Sequence, residues 1–330
     1  MATPVKLSYS RISAYRQCPC KHWYRYVRGI QPKAITRPLQ FGRDFHALLE
    51  RRWDQKAVVS YFQHIDETYA KLPSVQQEEL GKDYVLDIQT IFGDYQTLYT
   101  ARGQEQHVFG DAIHELEFEI PIGKLGKGED ARDVYFIGVI DEVLTSTVGD
   151  GGIVEHKTFS KKPNPIFLTM NTQIALYAKA YKMLYKKPLK RVTWDYIKST
   201  PATEPALLKS GKLSEAATKS VTPYSYRRAC QRHNLPIDKG KEEQYAYNFD
   251  EFFFRRTIDV NPAVVKDVWQ GFKRTIADIM KDGHVNTTKY INQSCAWCDY
   301  RDVCTVQFDG GEIEDIIKEK YEERNADLPI

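Results

Sequence analysis

The stretch from residue 114 to 199 constrains the fold more than any other part of the chain. In HELEFEIPI (114–122), Leu116, Phe118, Ile120 and Ile122 alternate with Glu115, Glu117 and Glu119, the period-two signature of a half-exposed strand. VYFIGVIDEVL (134–144) is apolar enough for a central strand, and IVEHKTF (153–159) reads as a third. The turns between them are predicted in GKLGKGEDARD (123–133) and TSTVGDGG (145–152). MNTQIALYAKAYKMLYKK (170–187) then runs without Gly or Pro up to Pro188 and predicts a long helix, and RVTWDYIKS (191–199) gives a fourth strand. Three strands, a helix and a strand make an α/β sheet flanked by helices.

The flanks read as helical. Residues 10–27 predict a helix with Ser10 as N-cap, split in two by Pro19 and bulked by Tyr15, Trp23, Tyr24 and Tyr26. In 41–58, His46, Leu49, Glu50 and Trp53 fall on one side at steps of three and four, and 60–110 is mostly helical. Residues 261–283 form a helix with Asn261 as N-cap, Pro262 in the first turn and Gly283 as the stop. The expected organisation is one domain, 1–330. It has a helical N-terminal part (1–110), a sheet-and-helix core (111–200), an irregular basic insertion (201–260) and a C-terminal helix with a cysteine segment (261–330).

A net charge of +3 says little, but its distribution says more. Residues 1–40 hold eight Lys or Arg and no acid, and 209–241 hold eight against Glu215 and Asp238. Segregated positive charge suits a polyanion, whose phosphate contacts release counterions; a solvated basic face is the plain alternative. Within the insertion, Arg227, Arg228 and Arg232 are the candidate nucleic-acid contacts. No apolar run approaches the roughly 20 residues of a membrane span, and no apolar segment marks a secretory signal, so an intracellular protein is expected. There, clustered cysteines hold metal more often than they form disulfides.

A period of two puts Glu155 and Lys157 on one face of the third strand and His156 on the other. A carboxylate and an ammonium on a buried strand are costly unless they pair or bind something. Asp141, just before a turn, shares its face with Val139 and Ile137, while Glu142 points away. Two carboxylates from neighbouring strands can share Mg²⁺ or Mn²⁺, and a lysine beside them can activate water or stabilise charge on a phosphate. A cross-strand salt bridge is the simpler reading of the same residues. Gln173 and Tyr177, spaced i, i+4 at the start of the following helix, can hold a phosphate or a strand end. His46 can offer an imidazole from a helix over the sheet. CAWCDYRDVC (295–304) supplies three thiolates, Cys295, Cys298 and Cys304, which need a fourth from elsewhere.

The succession GRDFHALLE, GVIDEV, VEHKT and QIALY resembles the RecB-like branch of the PD-(D/E)XK nucleases, which carry a helix histidine, G-x-x-D, (D/E)-x-K and Q-x-x-x-Y in that order. SYSRISAYRQCP and CAWCDYRDVC are similar to the two ends of the iron–sulfur subset, the type of the AddB nuclease domain and the CRISPR-adaptation nucleases. The resemblance implies a restriction-endonuclease-like core with a mixed central sheet. It implies a metal site of His46, Asp141, Glu155 and the carbonyl of His156, with Asp141, Glu155, Lys157, Gln173 and Tyr177 as the catalytic set. It further implies a 4Fe–4S cluster on Cys18, Cys295, Cys298 and Cys304 that joins the terminal segments, the CP dipeptide favouring Cys18 over Cys20. Four thiolates also suit zinc. Cys230 is expected to be a free thiol.

The expected activity is that of a Mg²⁺- or Mn²⁺-dependent deoxyribonuclease, an exonuclease on single strands or free ends. Recombination, repair or phage DNA processing, with partner proteins from those processes, is the setting the resemblance implies, in the cytoplasm or an infected host cell. The rival is a non-catalytic DNA-binding or adaptor protein that keeps the fold. Glu142 departs from the family, many of whose members carry arginine after the motif aspartate. No G-x-x-x-x-G-K-[ST] is present, so no ATP motor is expected in this chain.

Overall fold

The structure is a computed structural model that describes residues 4–101, 112–125, 131–144, 152–216, 218–282 and 285–324. Its strands are β1 (Val5–Ser8), β2 (Ile30–Pro32), β3 (Ala112–Leu125), β4 (Arg132–Leu144), β5 (Gly152–Phe159), β6 (Arg191–Lys198), β7 (Phe253–Asp259) and β8 (Tyr321–Glu323). Six of them form one mixed sheet in the order β1-β4-β5-β6-β7, with β3 also on β4. The β1/β4 and β5/β6 pairs are parallel and the others antiparallel. All four strands expected from the sequence are present, and the mixed α/β architecture agrees with the pattern.

The edges of β4 explain where a site can open. β3 follows one edge from Arg132 to Leu144. The other edge is shared, because β1 pairs with Val134–Ile137 and β5 joins only at Glu142–Leu144. The sheet therefore forks around residues 138–141, and Asp141 is the last residue before β5 takes over. The strand continues through Glu142, Val143 and Leu144 rather than turning after Asp141. Gly138, at the mouth of the fork, leaves space for an aromatic ring: a Cβ there would lie 2.7 Å from Phe118 Cζ.

Alternate residues of β6 and β7 divide between two cores, as pleated strands require. Trp194, Tyr196 and Phe254 join Phe118, Phe136 and Phe272 under the helices Thr172–Tyr185 and Pro262–Asp282. Ile197 and Phe253 join Phe41, Phe45 and Phe92 under Arg37–Arg51, Gln55–Lys71 and Tyr84–Ala101. A third, small core gathers Cys20, Tyr24, Ile30, Tyr300, Val303 and Tyr321 where the chain's two terminal segments meet. There β2 and β8 pair antiparallel, and the Tyr300 hydroxyl donates to the Ile30 carbonyl at 2.7 Å.

Local chemistry accounts for the departures from expectation. Ser8, not Ser10, caps the first helix, Tyr9–Gln17, its Oγ accepting from the Arg11 N–H at 3.1 Å. Pro19 does end it, and a second short helix begins there. The expected 41–58 helix is two helices, because Asp54 accepts from the N–H groups of Lys56 (2.9 Å) and Ala57 (3.2 Å) and starts a new one. Trp53 falls in the break and leaves the face that carries His46. Val139 and Ile137 are only half-buried, and Phe136 and Ile140 form the apolar side of β4 instead. The basic insertion is not irregular: it contains the helices Pro223–Arg232 and Lys239–Ala246 and then β7. The expected helix stop at Gly283, most of the turn at 145–152, the middle of the 123–133 loop and the end of the 60–110 segment lie outside the described residues.

Candidate active site

The β4/β5 register that pairs Glu142 with Val154 sets Asp141 across from Glu155 at the fork. Asp141 Oδ2 accepts the backbone N–H of His156 at 2.7 Å, tying the two strands together where their ladder ends. Lys157 Nζ donates to Glu155 Oε1 at 2.6 Å. The same oxygen accepts from Gln173 Nε2 at 2.9 Å, and Gln173 Nε2 lies 3.0 Å from the Tyr177 hydroxyl. Asn171 makes this possible by capping the Thr172–Tyr185 helix, its Oδ1 accepting the Ile174 N–H, so that Gln173 and Tyr177 occupy its first turns. From the opposite layer, His46 Nδ1 stands 3.9 Å from Asp141 Oδ1. The six side chains singled out in the sequence thus converge from three separate elements of the fold and the helix over them.

Burial and mutual repulsion set the charges. Glu155 is 1% exposed, and burial, reinforced by Asp141 and only partly opposed by Lys157, pushes its carboxyl up to about 7. Burial alone would lower Lys157, but Glu155 and Asp141 outweigh it and hold the ammonium above the usual lysine range. A lysine so held favours its ammonium form, which can stabilise negative charge. Tyr177 is driven well above the usual phenol range by burial and then by Glu155, so it remains a neutral donor.

These residues fit a hard divalent cation. Glu155 Oε2 is buried without a hydrogen-bond partner, and its carboxylate is crowded by a second one. A cation between the two would satisfy the orphan oxygen and relieve the repulsion. The main-chain contact of His156 with the site is its N–H on Asp141, while its imidazole turns to the other face as alternation predicts.

Two features went unread in the sequence. The first is Glu115, which the alternating pattern treats as one of three exposed glutamates on β3. It lies between the paired residues His114 and Leu116, opposite Asp141, and adopts φ 46°. Its Oε1 is 4.0 Å from His46 Nδ1, and among the described residues His46, Glu115 and Asp141 form the one group with metal-ligand atoms all within 4.8 Å. Alternation carries no information about a left-handed residue, so no signal marked it.

The second is a buried charge chain behind β5. His156 Nε2 lies 2.6 Å from Glu142 Oε1 and Nδ1 lies 2.9 Å from Asp195 Oδ2. Arg52 Nη1 donates to Glu142 at 2.7 Å, Arg255 Nε to Asp195 at 3.1 Å, and the Tyr95 hydroxyl to Asp195 at 2.5 Å. Glu142, His156 and Asp195 are all nearly inaccessible. Asp44, also buried, fastens the His46 helix by accepting from the Tyr84 and Tyr61 hydroxyls.

The cysteines collect at the third core. Cys18, Cys298 and Cys304 pack against it, and Cys295 sits on the adjoining turn Gln293–Trp297 with its Sγ 3.7 Å from the Tyr290 carbonyl. Cys20 is there too, 1% exposed, and its thiol beside Cys304 lowers the Cys304 thiol to about 7. Both terminal segments therefore bring thiols to one place, which suits a group that needs several thiolates. Cys230 is buried in a separate small core with Val221, Tyr226 and Tyr245. The three candidate arginines of the insertion each pair with an acid, and Arg227 and Arg232 are also exposed to solvent. Arg228 pairs with Asp94 and Glu204, Arg232 with Glu204, and Arg227 with Glu242. Counting charges along the insertion alone missed these partners, all three of which lie outside the residues 209–241 that were counted.

A family model described as the PD-(D/E)XK nuclease superfamily matches residues 6–305, a span that contains the fork and every side chain around it. The chain belongs to the PD-(D/E)XK nuclease superfamily. Among solved structures, the chain is similar to SSO0001 at 10% identity and a TM-score of 0.32, covering 92% of this chain and 88% of that one. It is also similar to a "Putative exonuclease" from Eubacterium rectale at 11% identity and a TM-score of 0.47, covering 88% and 87%. No curated protein matches it. In this PD-(D/E)XK chain the matched span holds Asp141 on β4 and the pair Glu155–Lys157 on β5. Among the described residues, no helix is long and apolar enough to cross a membrane.

Proposed function

We propose that this PD-(D/E)XK protein is a divalent-metal-dependent deoxyribonuclease that removes nucleotides from single strands or free DNA ends. The observation that carries the reading is the fork itself, where Asp141 and a buried, partly orphaned Glu155 face each other beside Lys157, whose Nζ donates to Glu155. His46, Asp141, Glu155 and the His156 carbonyl would hold Mg²⁺ or Mn²⁺. The ion supplies Lewis-acid polarisation of the phosphodiester and lowers the pKa of water. Lys157 meets the negative charge that develops on the phosphate. Gln173 holds Glu155 in place and, with the neutral Tyr177, offers donors to the DNA backbone. Cys18, Cys295, Cys298 and Cys304 would carry a 4Fe–4S cluster whose role is structural, because phosphodiester hydrolysis moves no electrons.

End-labelled single- and double-stranded DNA incubated with Mg²⁺ or Mn²⁺ tests this reading. Progressive loss of nucleotides from an end is expected, together with no cleavage in EDTA or in the Asp141→Ala and Lys157→Ala variants. Both variants should still bind DNA in Ca²⁺. A Lys157→Ala protein that cuts at the wild-type rate would refute the assignment.

A further inference from the structure

We propose that Glu115 is a metal ligand of this site, so that the cation is held from β3 as well as from β4, β5 and the His46 helix. The proposal deepens the metal-dependent reading above and rests on it. Four observations converge. Register first: Glu115 stands opposite Asp141, and the pairs on either side of it, His114 with Glu142 and Leu116 with Ile140, keep the strands close. Geometry second: its carboxylate is 4.0 Å from His46 Nδ1 and shares with His46 and Asp141 a space that one ion would fill.

Charge is the third. The nearest ammonium, Lys157, is already bonded to Glu155. Among the described residues, neither Glu115 nor Asp141 has a Lys or Arg partner at ion-pair distance; each meets only His46. Two carboxylates around one imidazole leave negative charge that a divalent cation would balance. Its neighbour on the strand differs, for Glu119 pairs with Lys6. Backbone is the fourth. Glu115 holds φ 46° within a strand, a conformation that glycine would adopt without strain. The carboxylate is what a glycine would lack. A donor set of two carboxylates and an imidazole suits Mn²⁺ as well as Mg²⁺.

The test is Mn²⁺ binding to the full-length protein without DNA, followed by titration calorimetry and by the Mn²⁺-dependent rise in melting temperature. Glu115→Gln should bind Mn²⁺ about ten-fold more weakly or worse, the scale on which lost support at a metal site is felt. Its metal-free melting temperature should not fall. Glu117→Gln, which removes an exposed charge two residues along β3, should bind as wild type does. Should Glu115→Gln prove unstable, Glu115→Asp and Glu115→Asn give the comparison at constant size, since both residues tolerate left-handed backbone. The Asp form must bind Mn²⁺ the more tightly. Wild-type affinity in Glu115→Gln, or equal affinity in the Asp and Asn forms, overturns the proposal. Asp141→Asn separates the two levels of failure: if it loses Mn²⁺ while Glu115→Gln keeps it, only the role of Glu115 falls. If neither variant loses Mn²⁺, the metal reading of the fork falls with it.

Discussion

Glu142→Ala cuts the buried charge chain between Arg52 and His156, and the structure sets the size of the effect. The Glu142 and Arg52 side chains are each 2% exposed and meet at 2.7 Å, and the same Glu142 oxygen lies 2.6 Å from His156 Nε2. Two charge-assisted bonds contribute about 1.5–3 kcal/mol each. Removing one partner of a buried ion pair costs about 3–5 kcal/mol. The two estimates meet, and a loss of about 3–5 kcal/mol is expected in urea unfolding of the metal-free protein. Glu67→Ala is the control: Glu67 and Lys71 are 3.9 Å apart but 70% and 78% exposed. That change should cost no more than about 0.5 kcal/mol.

The pH dependence adds a second reading of the same variant. Burial would raise Glu142, but His156 and Arg52 overcome it and depress the carboxyl from 4.5 to about 2. Its contribution is therefore present above about pH 4.5 and lost as pH falls toward 2. Burial would lower His156, but Glu142 and Asp195 raise it from 6.5 to about 10. That contribution is complete below about pH 6.5 and fades as pH rises through 10. The difference between wild type and Glu142→Ala should be widest between these limits. A loss no larger than that of Glu67→Ala, or a difference that is flat from pH 3 to 10, would show that the chain does not carry the charges assigned to it.

Gly138→Ala should destabilise by about 1–3 kcal/mol, because the new methyl group meets the Phe118 ring; Phe118→Leu should restore much of the loss, measured by thermal melting. Protein purified without oxygen should contain about four irons per chain, and Cys18→Ala should lose iron and stability together while Cys20→Ala keeps its iron. Iron analysis decides, and zinc in the wild type would refute the cluster. Arg228→Ala should lower the melting temperature, because Asp94 is 6% exposed and loses its partner, but should leave the salt dependence of DNA binding unchanged. A shallower salt slope would restore the insertion as a phosphate-binding surface.

What was legible in the sequence was what repeats or clusters. β3, β4, β5 and β6 showed as alternating or continuous apolar runs, and period two placed Glu155 with Lys157 and sent His156 and Glu142 the other way. β1, β2 and β8 have three or four residues, too few to establish a period. In β7, FFRRTID carries its two arginines in the middle, and it read as part of a basic segment. Asp195 looked like one polar residue in a strand, because the arginine, tyrosines and histidine that satisfy it come from three other elements, β7, the helix Tyr84–Ala101 and β5. Ion pairs across the fold hid the fate of Arg228 in the same way, since Asp94 lies 134 residues away.

The β2–β8 ribbon has a consequence for synthesis. Ile30–Pro32 pairs with Tyr321–Glu323, and Lys33 and Arg324 extend the same contacts through their main chains. At about 5–20 residues per second, β8 is made some 15–60 s after β2. During that interval β3, β4 and β5 have already emerged, so the acids of the fork can assemble on a nascent chain whose β2 still waits for its mate. Whatever covers the exposed edge of β2 in that time must let go late. A chain halted just before Tyr321 would carry every side chain of the fork, with β1 already on β4, and yet leave β2 without its partner strand.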